Sequence, residues 1–116
     1  MKKAILFTFL TFFTTLLINS CSKKSADPES NPCDGVVKNW STDVMPLIQT
    51  YCNQAACHDP GSSNGVGPLT NYTEVYDART RIRDAVQAGT MPQNTVLTTE
   101  QKKTIICWIE NGAPNN

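Results

Sequence analysis

Apolar residues run almost without interruption from Ala4 to Ile18, behind the basic head Met1-Lys2-Lys3, and then nearly vanish between Ser22 and Pro32. An apolar run of that length behind a basic head is the pattern of a secretory signal, shorter than the roughly 20 residues of a spanning helix. The polar stretch SKKSADPESNP reads as a flexible tether. From about Cys33 the apolar positions become periodic. Val44, Leu47, Ile48 and Tyr51 share one helical face, with Asp43 placed to cap the helix, Pro46 in its first turn and an end close to Cys52. After His58 the sequence DPGSSNGVGPLTN has the composition of a long surface loop, and so long a loop in a small domain usually has a function or wraps something. Asn71 or Thr70 then starts a short helix through Tyr72, Val75 and Tyr76. A second short helix, marked by Ile82, Ala85 and Val86, stops at Gly89. The last element is the clearest. Thr98 and Gln101 form a capping-box pattern, Ile105, Ile106 and Ile109 supply a buried stripe beside Trp108, and Gly112 and Pro114 close it. No stretch alternates long enough for a strand. The predicted fold class is mostly α, in one folded domain over 33–116, behind a signal peptide over 1–20 and a tether over 21–32.

Charge and size narrow the picture. The chain has ten Lys and Arg and ten Asp and Glu; without Lys2 and Lys3 the exported part keeps eight basic against ten acidic residues. A mildly acidic balance predicts no nucleic-acid partner. The folded part, roughly eighty residues, is near the size at which a hydrophobic core alone contributes only a few kcal/mol, so a staple is expected. The sequence contains no paired carboxylates, no nucleophile beside a base and no phosphate-binding loop, which argues against a hydrolase or a phosphoryl-transfer enzyme.

The chemistry lies in five cysteines and one histidine. Export places them in an oxidising space, where each cysteine should be bonded to something. Leu17-Ile18-Asn19-Ser20-Cys21 resembles the lipobox of bacterial lipoproteins, which implies cleavage before Cys21 and acylation of its sulfur; the plainer reading is an ordinary cleavage site with an unpaired cysteine. Ser22 after Cys21 resembles the pattern sent on to an outer membrane. Further on, YCNQAACHDP places His58 directly after Cys57. Covalent haem attachment uses two thiols and a histidine next to the second. Cys-x-x-Cys-His brings its thiols within about 60° around a helix axis, whereas Cys52-x-x-x-x-Cys57 leaves them about 140° apart. Asn53 to Ala56 must therefore bulge out if both thiols are to reach one macrocycle. A disulfide loop with a surface histidine is the alternative. A zinc site would need reduced thiolates and a fourth ligand.

With these residues in view, the chain resembles a class I c-type cytochrome domain of the kind found on bacterial lipoproteins. The similarity runs through WSTDVMPLIQTYC, CH, VGPL, RIRDAVQAGTMP and LTTEQKKTIICWIENGAP. It implies an N-terminal helix packed crosswise on a C-terminal helix around one covalently bound haem c, with Cys52 and Cys57 as thioether residues and His58 as the iron ligand. It further implies that the carbonyl of Pro68, in Gly67-Pro68-Leu69, accepts a hydrogen bond from the histidine ring. Met91 is then the distal thioether ligand, with Met45 as a structural competitor. Leu47, Ile48, Leu69, Ile82, Val86, Ile105 and Ile109 are expected in the apolar shell. With Cys21 on lipid, Cys33 and Cys107 remain; a disulfide between them closes roughly seventy residues and contributes about 4 kcal/mol by chain entropy. The implied function is one-electron transfer between redox proteins, by a non-enzymatic carrier on the periplasmic side of an outer membrane or on the cell surface. Two other readings stay open: a haem-free, disulfide-stabilised binding or anchoring module, and a sensor or oxidase-like domain whose sixth iron site is open.

Overall fold

The computed structural model describes residues 31–116; the signal peptide expected over 1–20, Cys21 and most of the tether expected over 21–32 lie outside the described residues. A π-helical turn, Trp40–Val44, runs directly into α1 (Met45–Tyr51) and is followed by α2 (Tyr72–Ala88) and α3 (Thr99–Glu110). No strand occurs among the described residues, in agreement with a mostly α fold. None of the described helices is long and apolar enough to cross a membrane.

The first helical segment begins earlier than its apolar spacing predicts, and Asp43 is not its N-cap. Asp43 lies inside the opening turn, where its carboxylate accepts the Asn39 N–H at 2.8 Å. The exposed donors at the helix start are satisfied from far along the chain. The Trp40 N–H donates to Asn116 Oδ1 at 2.8 Å across 76 positions, and the Ser41 N–H donates to the Asn116 main-chain oxygen at 2.9 Å. Such donors lack partners within the helix and destabilise a buried end unless something else accepts from them. Pro46 sits in the first turn of α1, where no N–H is required. Val44 and Ile48 are fully buried, while Leu47 and Tyr51 pack half-buried against the core.

A single helix, α2, replaces the two short ones that the sequence suggests. It contains no glycine or proline, and its buried positions Val75, Ala78, Ile82 and Val86 recur every three or four residues along one face. Ala78, small and set among polar neighbours, is the link that a reading of large apolar residues misses. The ends are as expected: Asn71 Oδ1 accepts the Glu74 N–H at 3.1 Å, and Gly89 closes the helix at φ 71°. The capping box of α3 is complete, with the Gln101 N–H on Thr98 Oγ1 at 3.2 Å and the Thr98 N–H on Gln101 Oε1 at 2.8 Å.

Along α3, Ile105, Cys107, Trp108 and Ile109 are buried, and the helix packs against both α2 and the Trp40–Val44 turn. Trp40 and Trp108 lie 5.4 Å apart, and Tyr72 meets Trp40 edge-on at 5.5 Å. The polar ends of these rings are satisfied by the segment after α3: Trp108 Nε1 donates to Pro114 O at 2.9 Å and the Tyr72 hydroxyl to Ala113 O at 2.8 Å. Cys33 and Cys107 form a disulfide, each 1% exposed, so the staple expected of so small a domain is present. It ties the segment before Trp40 to α3, and Asn111 Nδ2 adds a second tie by donating to Val36 O at 2.7 Å.

Candidate functional site

The C-terminal end of α1 delivers Cys52. Its N–H closes the last helical hydrogen bond onto Ile48 O at 2.9 Å, and the chain then leaves the helix. Gln54 folds back over that end, where its Nε2 donates to Gln49 O at 2.8 Å and Thr50 O at 3.0 Å, satisfying carbonyls that no later turn serves. Freed from the helix, Asn53 to Ala56 bulge outward. The Cys52 carbonyl accepts from both the Gln54 N–H at 2.9 Å and the His58 N–H at 3.2 Å, so the main chain returns to its starting point after the bulge. Ala56 pays for this return with a left-handed backbone at φ 64°. For a residue with a Cβ that conformation costs roughly 1–2 kcal/mol, and it persists only where neighbours enforce it.

The enforcing neighbours come from the loop after His58. Asn64 Nδ2 donates to Ala56 O at 2.9 Å and to Cys57 O at 3.2 Å, and Ser62 Oγ donates to the same Cys57 carbonyl. The loop closes on the histidine main chain through the Leu69 N–H, which donates to His58 O at 2.9 Å. It also closes on the ring, because His58 Nδ1 lies 2.7 Å from Gly67 O. A carbonyl only accepts, so Nδ1 carries the proton and the Nε2 lone pair faces away from this bond, ready for an electrophile or a metal. The acceptor is Gly67 and not Pro68, the residue implied by the cytochrome resemblance. Gly67 adopts φ 82°, a backbone that turns its carbonyl toward the ring and that proline cannot adopt. Pro68 instead lines a shallow cavity of about 310 Å³ with Val66, Glu74, Asp77, Ala78 and Arg81. Glu74 is engaged there: its carboxylate accepts from Thr70 N at 2.7 Å and Thr70 Oγ1 at 2.8 Å, and these bonds hold it below the usual carboxylate range.

Cys52 and Cys57 are free thiols, not joined to each other. Burial, and secondarily the neighbouring Cys57, pushes the Cys52 thiol up to about 11, so it is protonated at neutral pH. The structure thus gathers Cys52, Cys57 and His58 at one turn. Met91 belongs to a separate segment, anchored to the end of α2 by its N–H on Ala85 O at 3.4 Å, and its side chain is 36% exposed. Met45 packs against the core. Among the described residues no three His, Cys, Asp or Glu side chains cluster as a metal cage. What the turn offers is a single imidazole, committed through Nδ1, beside two unbonded thiols, a set of groups that would hold a prosthetic group by its periphery and by one nitrogen. The sequence reading missed Gln54, Ser62 and Asn64. Asn64-Gly65 carries an ordinary turn signal, but its partner Ala56 is disclosed only by the three-dimensional path. The chain matches no protein-family model, no curated protein and no solved structure.

Proposed function

We propose that this chain is a monohaem c-type cytochrome, anchored through lipid on Cys21, that passes single electrons between redox proteins at a bacterial membrane surface. The observation that carries the reading is the His58 ring, committed through Nδ1 to Gly67 O at 2.7 Å beside two free thiols. Cys52 and Cys57 are the residues that would hold the porphyrin, and His58 Nε2 would hold its iron. When bound, the group supplies a metal that exchanges one electron without binding substrate. The remaining work belongs to the chain. The Gly67 carbonyl fixes the tautomer and orientation of His58 and, by accepting a hydrogen bond from its Nδ1–H, raises the basicity of the opposite nitrogen. Ile48, Leu69, Ile82, Val86 and Ile105 are buried in the apolar core. Met91, 36% exposed, is the residue whose thioether would supply a second protein donor to the metal. The contact of α3 with the Trp40–Val44 turn, which leads directly into α1, is the packing that supports this reading of the fold.

Production of the full-length chain together with cytochrome-maturation factors tests the proposal. The expected product is red, heavier by one haem, and positive in a pyridine haemochrome assay. A colourless product at the unmodified mass overturns it. The second reading, a haem-free binding or anchoring module, draws support from a core that runs from Trp40 to Ala113 and is already stapled by Cys33–Cys107. A folded, colourless product would favour that module.

A further inference from the structure

The stretched spacing between Cys52 and Cys57 needs something to hold it, and one side chain is placed to do so. Asn64 faces two main-chain carbonyls, Ala56 O at 2.9 Å and Cys57 O at 3.2 Å. Both partners only accept, which fixes the amide orientation: the NH₂ group points at them and its two hydrogens serve one carbonyl each. The main chain of the same residue reaches the other half of the site, since the Gly67 N–H donates to Asn64 O at 2.8 Å and Gly67 O holds His58 Nδ1. Asn64 therefore joins the strained turn at Ala56, which sets the path between the thiols, to the carbonyl that orients the imidazole. Local backbone strain of this kind stands only when its surroundings over-determine it.

We infer that Asn64 is a positioning residue for cofactor attachment, whose carboxamide holds the Asn53–Ala56 bulge so that Cys52, Cys57 and His58 present to the same group. The inference rests on the haem reading and deepens it. The clasp sets thiol placement and the His58 tautomer together, and it leaves the buried core, built on other elements, unaffected.

The test uses the full-length chain in four forms: the parent, Asn64→Ala, Ala56→Gly, and the two combined. In haem-loaded protein, Asn64→Ala raises the fraction of chains attached through a single thioether, read from the pyridine haemochrome α-band and from peptide mapping. Ala56→Gly, which removes the left-handed penalty, restores double attachment in the combined variant. In haem-free protein, Asn64→Ala speeds amide exchange at Cys57 and His58 by about tenfold, as expected for two lost hydrogen bonds. It also raises the Nε2–H tautomer of His58 in nitrogen-15 spectra, while the melting midpoint of the core holds. Unchanged thioether count, exchange and tautomer in Asn64→Ala overturn the inference. So does a failure of Ala56→Gly to restore attachment. If the parent itself takes up no haem, the attachment reading falls, and the exchange and tautomer measurements still decide the role of Asn64.

Discussion

Removal of the Cys33–Cys107 disulfide is the perturbation with the largest effect that can be worked from the structure. The two residues are separated by 74 positions, so the bond restricts most of the folded part of the unfolded chain. The chain-entropy relation for a loop of that length gives about 4 kcal/mol at 25 °C. Both side chains are 1% exposed, so the appropriate change is Cys33→Ala with Cys107→Ala; serine would bury hydroxyls without partners. In a domain of this size each kcal/mol moves the thermal midpoint by about 4–8 °C, and the pair of substitutions should lower it by roughly 15–30 °C. Urea denaturation of the full-length chain provides the assay. Tryptophan fluorescence reports it directly, because Trp40 and Trp108 are buried 5.4 Å apart in the core. The parent with its disulfide reduced and the double variant should lose similar amounts, since both release the same constraint on the unfolded chain. A loss below about 1 kcal/mol in both would refute the reasoning, for it would mean that the unfolded chain is no freer without the crosslink.

Three further outcomes are expected. Gly67→Ala places a Cβ in ordinary contact with Ser62 O at 3.7 Å but at φ 82°, so strain and not collision sets a cost of about 1–2 kcal/mol. In haem-loaded protein the same change shifts the midpoint potential by moving the partner of His58; an unchanged melt and potential would remove Gly67 from the site. In the haem-free chain Cys52, raised from 9.0 to about 11 first by burial and then by Cys57, should react with iodoacetamide at pH 8 about a hundredfold more slowly than an exposed thiol. The fold disfavours the thiolate, so the contribution of Cys52 to stability is intact below pH 9 and is lost as pH rises toward 11. Peptide mass mapping across that range checks the rate, and fast labelling at pH 8 would contradict the assigned burial. Met91→Ala, at a side chain 36% exposed, should change stability by no more than about 0.5 kcal/mol. In haem-loaded protein it lowers the potential and opens the iron to carbon monoxide, and a spectrum identical to the parent's would assign the sixth position to another group.

The parts of this molecule that are legible in the sequence are those decided within a few residues. Thr98 with Gln101, Gly89 and Pro46 each settle a helix boundary through contacts that local spacing fixes, and all three stand where the pattern puts them, while Asn71 is the one of two candidate caps that the structure uses. The bulge between Cys52 and Cys57 is expected from the sequence only on the condition that both thiols meet one group, and the structure shows the chain leaving the helix there and returning to the Cys52 carbonyl. Failures occur where the partner is distant or the side chain is small. Asp43 resembles a cap in sequence, but it is Asn116, 76 positions beyond Trp40, that accepts the Trp40 N–H. Ala78 is too small to mark a helical face and is nonetheless what makes α2 continuous.

The sequence alone determined the helical class, the capped start of α3, the Gly89 stop of α2 and the adjacency of Cys57 and His58, since each follows from backbone geometry and side-chain reach over one or two turns. Only the tertiary structure decided that Gly67 and not Pro68 faces the imidazole, that Asn116 serves the opening turn, and that Asn64 spans the bulge. Those pairings depend on how a loop folds back on itself or how distant segments meet, and the free energy that selects them comes from burial and hydrogen bonds shared among residues whose spacing along the chain carries no signal of the encounter.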